Sequence, residues 1–96
     1  MKPSIALEQH RAAIRAIVAK YRAQNVRVFG SVLTGNDRED SDLDLLIDPT
    51  SDTTLFDIGA IRHELLELLN VPVDVLTPNA LPEKFRTTVL RQARLV

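Results

Sequence analysis

Apolar residues recur at helical spacing early in the chain. Leu7, Ile14, Ile17, Val18 and Tyr21 share one side, and Arg11, Arg15, Lys20 and Arg22 fall mostly on the other. The pattern predicts a helix over residues 4–23, with Ser4 as N-cap after Pro3. Asn25 interrupts it. Val26-Arg27-Val28-Phe29 then reads as a short strand, ended by Gly30-Ser31 and followed by a helical turn before Gly35-Asn36. Residues 36–41 form a polar loop, and Leu-Asp-Leu-Leu-Ile-Asp, 43–48, is a second strand closed by Pro49. Leu55, Ile58, Ile61, Leu65 and Leu69 mark the inward face of a helix over 53–69, capped by Asp52 or Thr53. Residues 71–77 read as a third strand whose Pro72 must lie at its start or on an edge. Pro82 stands near the first turn of a last helix over 81–92. This order predicts an α+β, sandwich-like domain: a short mixed sheet of three to four strands packed with helices.

Composition changes this picture little. Ninety-six residues, 45% hydrophobic and 26% charged, fit a single globular domain spanning 1–96. The absence of cysteine excludes disulfides and thiolate metal sites, and makes a reducing cytoplasm the expected setting. No apolar run approaches membrane-spanning length, so no membrane partner is expected. Charge changes the picture more. Residues 1–30 carry six basic side chains against one acidic, 31–77 two against eleven, and 78–96 four against one. An acidic centre that needs cations lies between basic elements suited to phosphate or to an acidic partner.

The acidic centre is densest from Asp37 to Asp48, with six carboxylates in twelve residues. In a strand, residues i and i+2 share a face. Asp42 and Asp44 therefore point one way while Leu43 and Leu45 point the other. Two carboxylates held this close repel unless a cation bridges them. Asp74 repeats the arrangement between Val73 and Val75, and completes a triad if the second and third strands are neighbours. Three carboxylates with no His or Cys make an all-oxygen site suited to Mg²⁺ or Mn²⁺, and a two-metal site of this kind serves in-line attack at phosphorus. Gly30 and Ser31, at a strand-to-helix turn, supply a backbone that a phosphate can approach and donors to hold it.

These residues carry a resemblance. Gly30-Ser31 followed by Asp42-Leu43-Asp44 resembles the signature of the DNA polymerase β-like nucleotidyltransferases, and the helical stretch 52–70 and the 71–77 strand resemble the minimal nucleotidyltransferases within that superfamily. The resemblance implies a polymerase β-like core, with Asp42, Asp44 and Asp74 as catalytic, metal-binding carboxylates and Gly30 and Ser31 as the nucleotide-binding pair. It implies two Mg²⁺ ions, ATP or another NTP as donor, and a HEPN-domain toxin as partner, with this chain as antitoxin. The family pattern is Gly-Ser-x-Ala-Arg-Gly; here Leu33 and Thr34 replace Ala and Arg, and Arg38 is the nearby candidate for the missing cation. The alternative reading is a catalytically weak member that inhibits its partner by stoichiometric binding.

Other positions are assigned more plainly. Ser41 either orients Asp42 or ends the loop, and Asp48 caps the strand end. Asp37, Glu39 and Asp40 are expected in a solvated loop. His10 and His63 lack metal-ligand spacing and read as surface residues. Tyr21 and the three phenylalanines are core candidates. With aromatics at 4%, no stacking platform for nucleic acid is expected; a homo-oligomer stays open.

Overall fold

The computed structural model describes every residue, Met1–Val96. The first predicted helix divides into α1, Pro3–Gln9, and α2, Arg11–Lys20, with His10 between them at φ −130°. Leu7 and Ile14 are both buried, so two short helices satisfy the apolar spacing as well as one long helix does; periodicity does not register a one-residue break. Ser4 is not the N-cap. Lys2 holds that position and Pro3 opens the helix, where its missing N–H is no loss. The free Ser4 N–H donates to Asp37 Oδ2 at 2.9 Å. Asp37 is therefore buried rather than solvated, and it supplies α1 with an acceptor from a distant loop.

Strand β1 spans Ala23–Phe29, three residues earlier than its apolar run suggests. Asn25 sits in it at φ 55°, where the pairing register shifts between Gln24 and Arg27; a left-handed Asn at a bulge lets the strand continue. The short helix α3, Ser31–Thr34, follows, then β2, Leu43–Pro49. Helix α4, Leu55–Leu69, crosses over to β3, Val73–Leu76, which runs parallel to β2. Pro72 immediately precedes β3. A 3₁₀ turn, Pro78–Ala80, leads to α5, Glu83–Gln92. The two-residue strand β4, Arg94–Leu95, pairs antiparallel with β1; it is too short to show periodicity and is not anticipated by the sequence. The sheet order is β3-β2-β1-β4.

Helix α4 is capped by Thr54, not by Asp52 or Thr53. Thr54 accepts from the Asp57 N–H while the Asp57 carboxylate accepts from the Thr54 N–H. The Thr53 hydroxyl donates instead to the Arg22 carbonyl. This start places Leu55 in the first turn, ahead of the inward stripe, so Leu55 is exposed beside Phe56 while Ile61, Leu65 and Leu69 are buried. The core lies on one face of the sheet: Val28, Leu43, Leu45, Ile47, Val73 and Val75 pack against Ile14, Val18, Ile61 and Leu65. It is aliphatic. Phe56 and Phe85 are exposed, Phe29 is half-buried, and Tyr21 packs only at the margin, against the expected aromatic core. No helix is long and apolar enough to cross a membrane.

Candidate active site

The candidate residues lie on the sheet face opposite the main core. Leu43, Leu45 and Ile47 point into the core, so alternation turns Asp44, Leu46 and Asp48 the other way, with Asp42 just ahead of the strand. The register pairs Asp44 with Asp74 on β3 and with Phe29 on β1. The condition set on Asp74 is thus met: β2 and β3 are neighbours, and the two carboxylates face the same side at the same level. Asp42 and Asp74 are exposed and Asp44 is half-buried.

Asp44 is the electrostatic centre of this group. Burial, then the charge of Asp74, then that of Asp42, push its carboxyl up to about 6. The three side chains do not close into a ready-made cation cage; they form a set of repelling oxygens open to solvent. The donor set fits a hard divalent cation: it is all carboxylate, and its most buried member is the one whose charge is least tolerated without a counter-ion.

Gly30 makes the close packing possible. Its φ of 76° and ψ of −150° lie where side-chain-bearing residues are rarely found. A Cβ there would also stand 2.2 Å from Asp44 Oδ2. Ser31 opens α3 directly after it, and Gly35 closes that helix in the left-handed region. Thr34, where the family pattern has Arg, turns its hydroxyl back to the Gly30 and Ser31 carbonyls at 3.5 and 3.3 Å. Arg38 is exposed in the following loop. Its N–H donates to Ser41 Oγ at 2.7 Å, so Ser41 closes the loop turn.

The remaining carboxylate on this face has partners already. Asp48 accepts from Arg27 at 2.5 Å and from Asn25 Nδ2 at 2.9 Å, which separates it from the group around Asp44. Leu46, between them, is fully buried yet stands outside the main core cluster; the 3₁₀ turn lies against β2, and Leu81 just after it is buried too. His63 faces Glu67 on the surface of α4, and His10 marks the break between α1 and α2. One residue near the site carries no sequence signal: Arg62 of α4, whose Nε donates to the Val73 carbonyl, the residue before Asp74, at 3.1 Å. The contact is formed by the crossover, and helical periodicity shows only that Arg62 lies beside the apolar stripe.

Neither cavity in the molecule holds the carboxylates. A groove of about 550 Å³ runs between α2, the start of β1 and the C-terminal residues, and a smaller one of about 280 Å³ lies between α1, α3 and β4. The carboxylate face is shallow and open.

Residues 12–96, which include all five candidate residues, match the family described as polymerase beta, nucleotidyltransferase. The protein adenylyltransferase MntA of Thermococcus cleftensis is 30% identical over 86 residues, covering 90% of this chain and 84% of its own. A solved structure assigned provisionally as a minimal nucleotidyltransferase has a TM-score of 0.86 at 40% identity, covering 97% of this chain and 95% of that one. A chain of a toxin–antitoxin structure solved with AMP-PNP shares the fold, with a TM-score of 0.70 at 15% identity, covering 97% of this chain and 71% of that one.

Proposed function

The chain belongs to the polymerase β nucleotidyltransferase family, and we propose that it is a Mg²⁺-dependent protein adenylyltransferase. It transfers AMP from ATP to a hydroxyl of a HEPN-domain toxin and so acts as that toxin's antitoxin. The observation that carries this reading is Asp44. It is half-buried, in register with Asp74, and packed so close to Gly30 that no side chain fits at that position, and its carboxyl is raised by burial and by its two acidic neighbours. A fold that keeps such a strained group has a use for it when a cation arrives.

Asp42, Asp44 and Asp74 would hold the metal, two Mg²⁺ ions in the full site, with Mn²⁺ as an adequate substitute. Bound metal supplies charge neutralisation for the triphosphate and lowers the pKa of the attacking hydroxyl. Gly30 lets the triphosphate approach the backbone, and the Ser31 N–H and hydroxyl hold its oxygens. The acceptor oxygen attacks the α-phosphorus as the bond to the bridging oxygen breaks and pyrophosphate leaves. Asp74, on the edge strand and exposed, faces the incoming acceptor and takes its proton.

The open face supports a protein acceptor. In-line placement of the hydroxyl supplies much of the rate gain, and this site has no walls of its own to provide it. Relatives support adenylyl transfer and an antitoxin setting: MntA is a protein adenylyltransferase, and the fold recurs in a toxin–antitoxin structure with a nucleotide analogue. The basic steering surface is smaller than composition suggests. Arg11 pairs with Glu8, Arg15 donates to the Val96 carbonyl, Arg22 pairs with Asp57, and Arg86 holds three carbonyls of residues 78–81. That leaves Arg91 and Arg94, with Arg38 in the loop beside the carboxylates, as the arginines free to meet an acidic surface.

Thr34 favours a second reading, in which the chain inhibits its partner by binding alone. Incubation with the HEPN partner, ATP and Mg²⁺, followed by mass spectrometry of the partner, separates the two. Adenylylation by the wild type and none by Asp44→Asn supports transfer. An unmodified partner that Asp44→Asn inhibits just as well overturns it.

A further inference from the structure

Strand β3 has four residues, lies at the sheet edge and carries Asp74 exposed at its second position. A strand this short has little pairing to hold it. On its inner side the Leu43 N–H donates to the Pro72 carbonyl at 2.8 Å. In a parallel ladder, alternate residues direct both backbone groups to the neighbouring strand. The Pro72 carbonyl and the Asp74 backbone groups therefore face β2, and those of Val73 face the free edge. An edge carbonyl is ordinarily left to water. Here it accepts from Arg62 Nε at 3.1 Å, across the crossover from α4. Arg62 has no carboxylate partner among the ion pairs of the molecule, so this backbone contact is its one defined bond.

We propose that Arg62 is a positioning residue for Asp74: its guanidinium clamps the Val73 carbonyl, fixing from outside the peptide unit that β2 fixes from inside. The proposal rests on the reading of Asp74 as a metal-binding carboxylate. The clamp sets the level of Asp74 against Asp44, and α4, anchored in the core through Ile61 and Leu65, is the rigid base from which it acts. An ammonium group reaches the same carbonyl with a single donor and serves in part. A thioether of similar length keeps the packing of the stem and loses the donor.

The test compares wild type, Arg62→Lys and Arg62→Met by backbone-amide NMR, in two arms. In the first, without metal, Arg62→Met accelerates hydrogen exchange at the Asp74 amide by about tenfold while Leu65 exchange is unchanged, because opening is local to the edge strand. Arg62→Lys lies between wild type and Arg62→Met. In the second, Mn²⁺ is titrated in the presence of a non-hydrolysable ATP analogue, and broadening of the amides around Asp42, Asp44 and Asp74 gives the metal concentration at half effect. Arg62→Met needs about tenfold more Mn²⁺ than the wild type, and Arg62→Lys lies between them. Unchanged exchange at Asp74 in Arg62→Met overturns the clamp. So does faster exchange spread evenly over α4 and β3, or a Mn²⁺ midpoint equal to that of wild type. Absence of Mn²⁺ broadening at all three carboxylates in the wild type overturns the metal-site reading instead, and the exchange arm still decides the clamp.

Discussion

Replacing Asp44 by Asn removes a charge that the metal-free fold tolerates poorly. The Asp44 carboxyl is raised to about 6 by burial and by Asp74 and Asp42, from an ordinary value near ~4. A rise of that size corresponds to about 3 kcal/mol between the ionised and neutral forms. The group is half-exposed and solvent screens it, so about 1 kcal/mol is the expected net effect. Because the folded-state pKa lies above the unfolded one, the fold binds the proton more tightly. The penalty is nearly absent below the unfolded value, grows as pH rises between the two, and is complete above about 6. Asp44→Asn in EDTA at pH 7.5 should therefore melt about 4–8 °C above the wild type, and most of that gain should vanish near pH 4. The assay is paired thermal denaturation at the two pH values. A gain independent of pH would show that the relief is not electrostatic. A large loss of stability at pH 7.5 would show that Asp44 holds the fold together and that the carboxylate group is structural.

Gly30→Ala should act in the opposite direction. The φ of 76° costs an alanine about 1–2 kcal/mol, and the added Cβ, 2.2 Å from Asp44 Oδ2, forces that side chain aside; urea denaturation should show a loss of about 2 kcal/mol or more, accompanied by loss of nucleotide transfer. Asp37→Ala removes the acceptor for the Ser4 N–H and should cost about 1 kcal/mol at neutral pH, as loss of a helix cap does. Since that N–H holds the Asp37 carboxyl below its usual range, the wild-type advantage is present above the ordinary carboxylate pKa and is lost as pH falls through the lowered one; a deficit that persists unchanged in acid would refute the assignment.

The placement of the carboxylates was legible because it is written in alternation. Asp42, Asp44 and Asp74 interrupt β-branched and leucine runs at period two, and only an opposite sheet face accommodates that pattern. The Gly-Ser step was legible because few positions in a strand-to-helix turn tolerate nothing but glycine, and Gly30 is such a position on two counts. Contacts between distant segments were illegible. Asp37 looks like any loop carboxylate until the 36–41 loop is brought to the start of α1. Arg62 looks like a surface residue of an amphipathic helix until the crossover lays it on the edge of β3. Leu55, Phe56 and Phe85 were misplaced because hydrophobicity reports what a side chain favours, and a helix start or an uncovered helix can leave it exposed regardless. The two residues of β4 carry no periodicity to read, and their pairing with Arg27 and Val28 is purely tertiary.

The central claim is that Asp42, Asp44 and Asp74 form a site for metal-bound nucleotide. Calorimetric titration of a non-hydrolysable ATP analogue, with and without Mg²⁺, tests it most directly in the wild type, Asp44→Asn and Asp48→Asn. The account predicts Mg²⁺-dependent binding in the wild type and in Asp48→Asn, whose carboxylate is committed to Arg27 and Asn25, and loss of that dependence in Asp44→Asn. Equal binding by all three proteins, or binding indifferent to Mg²⁺, would contradict it.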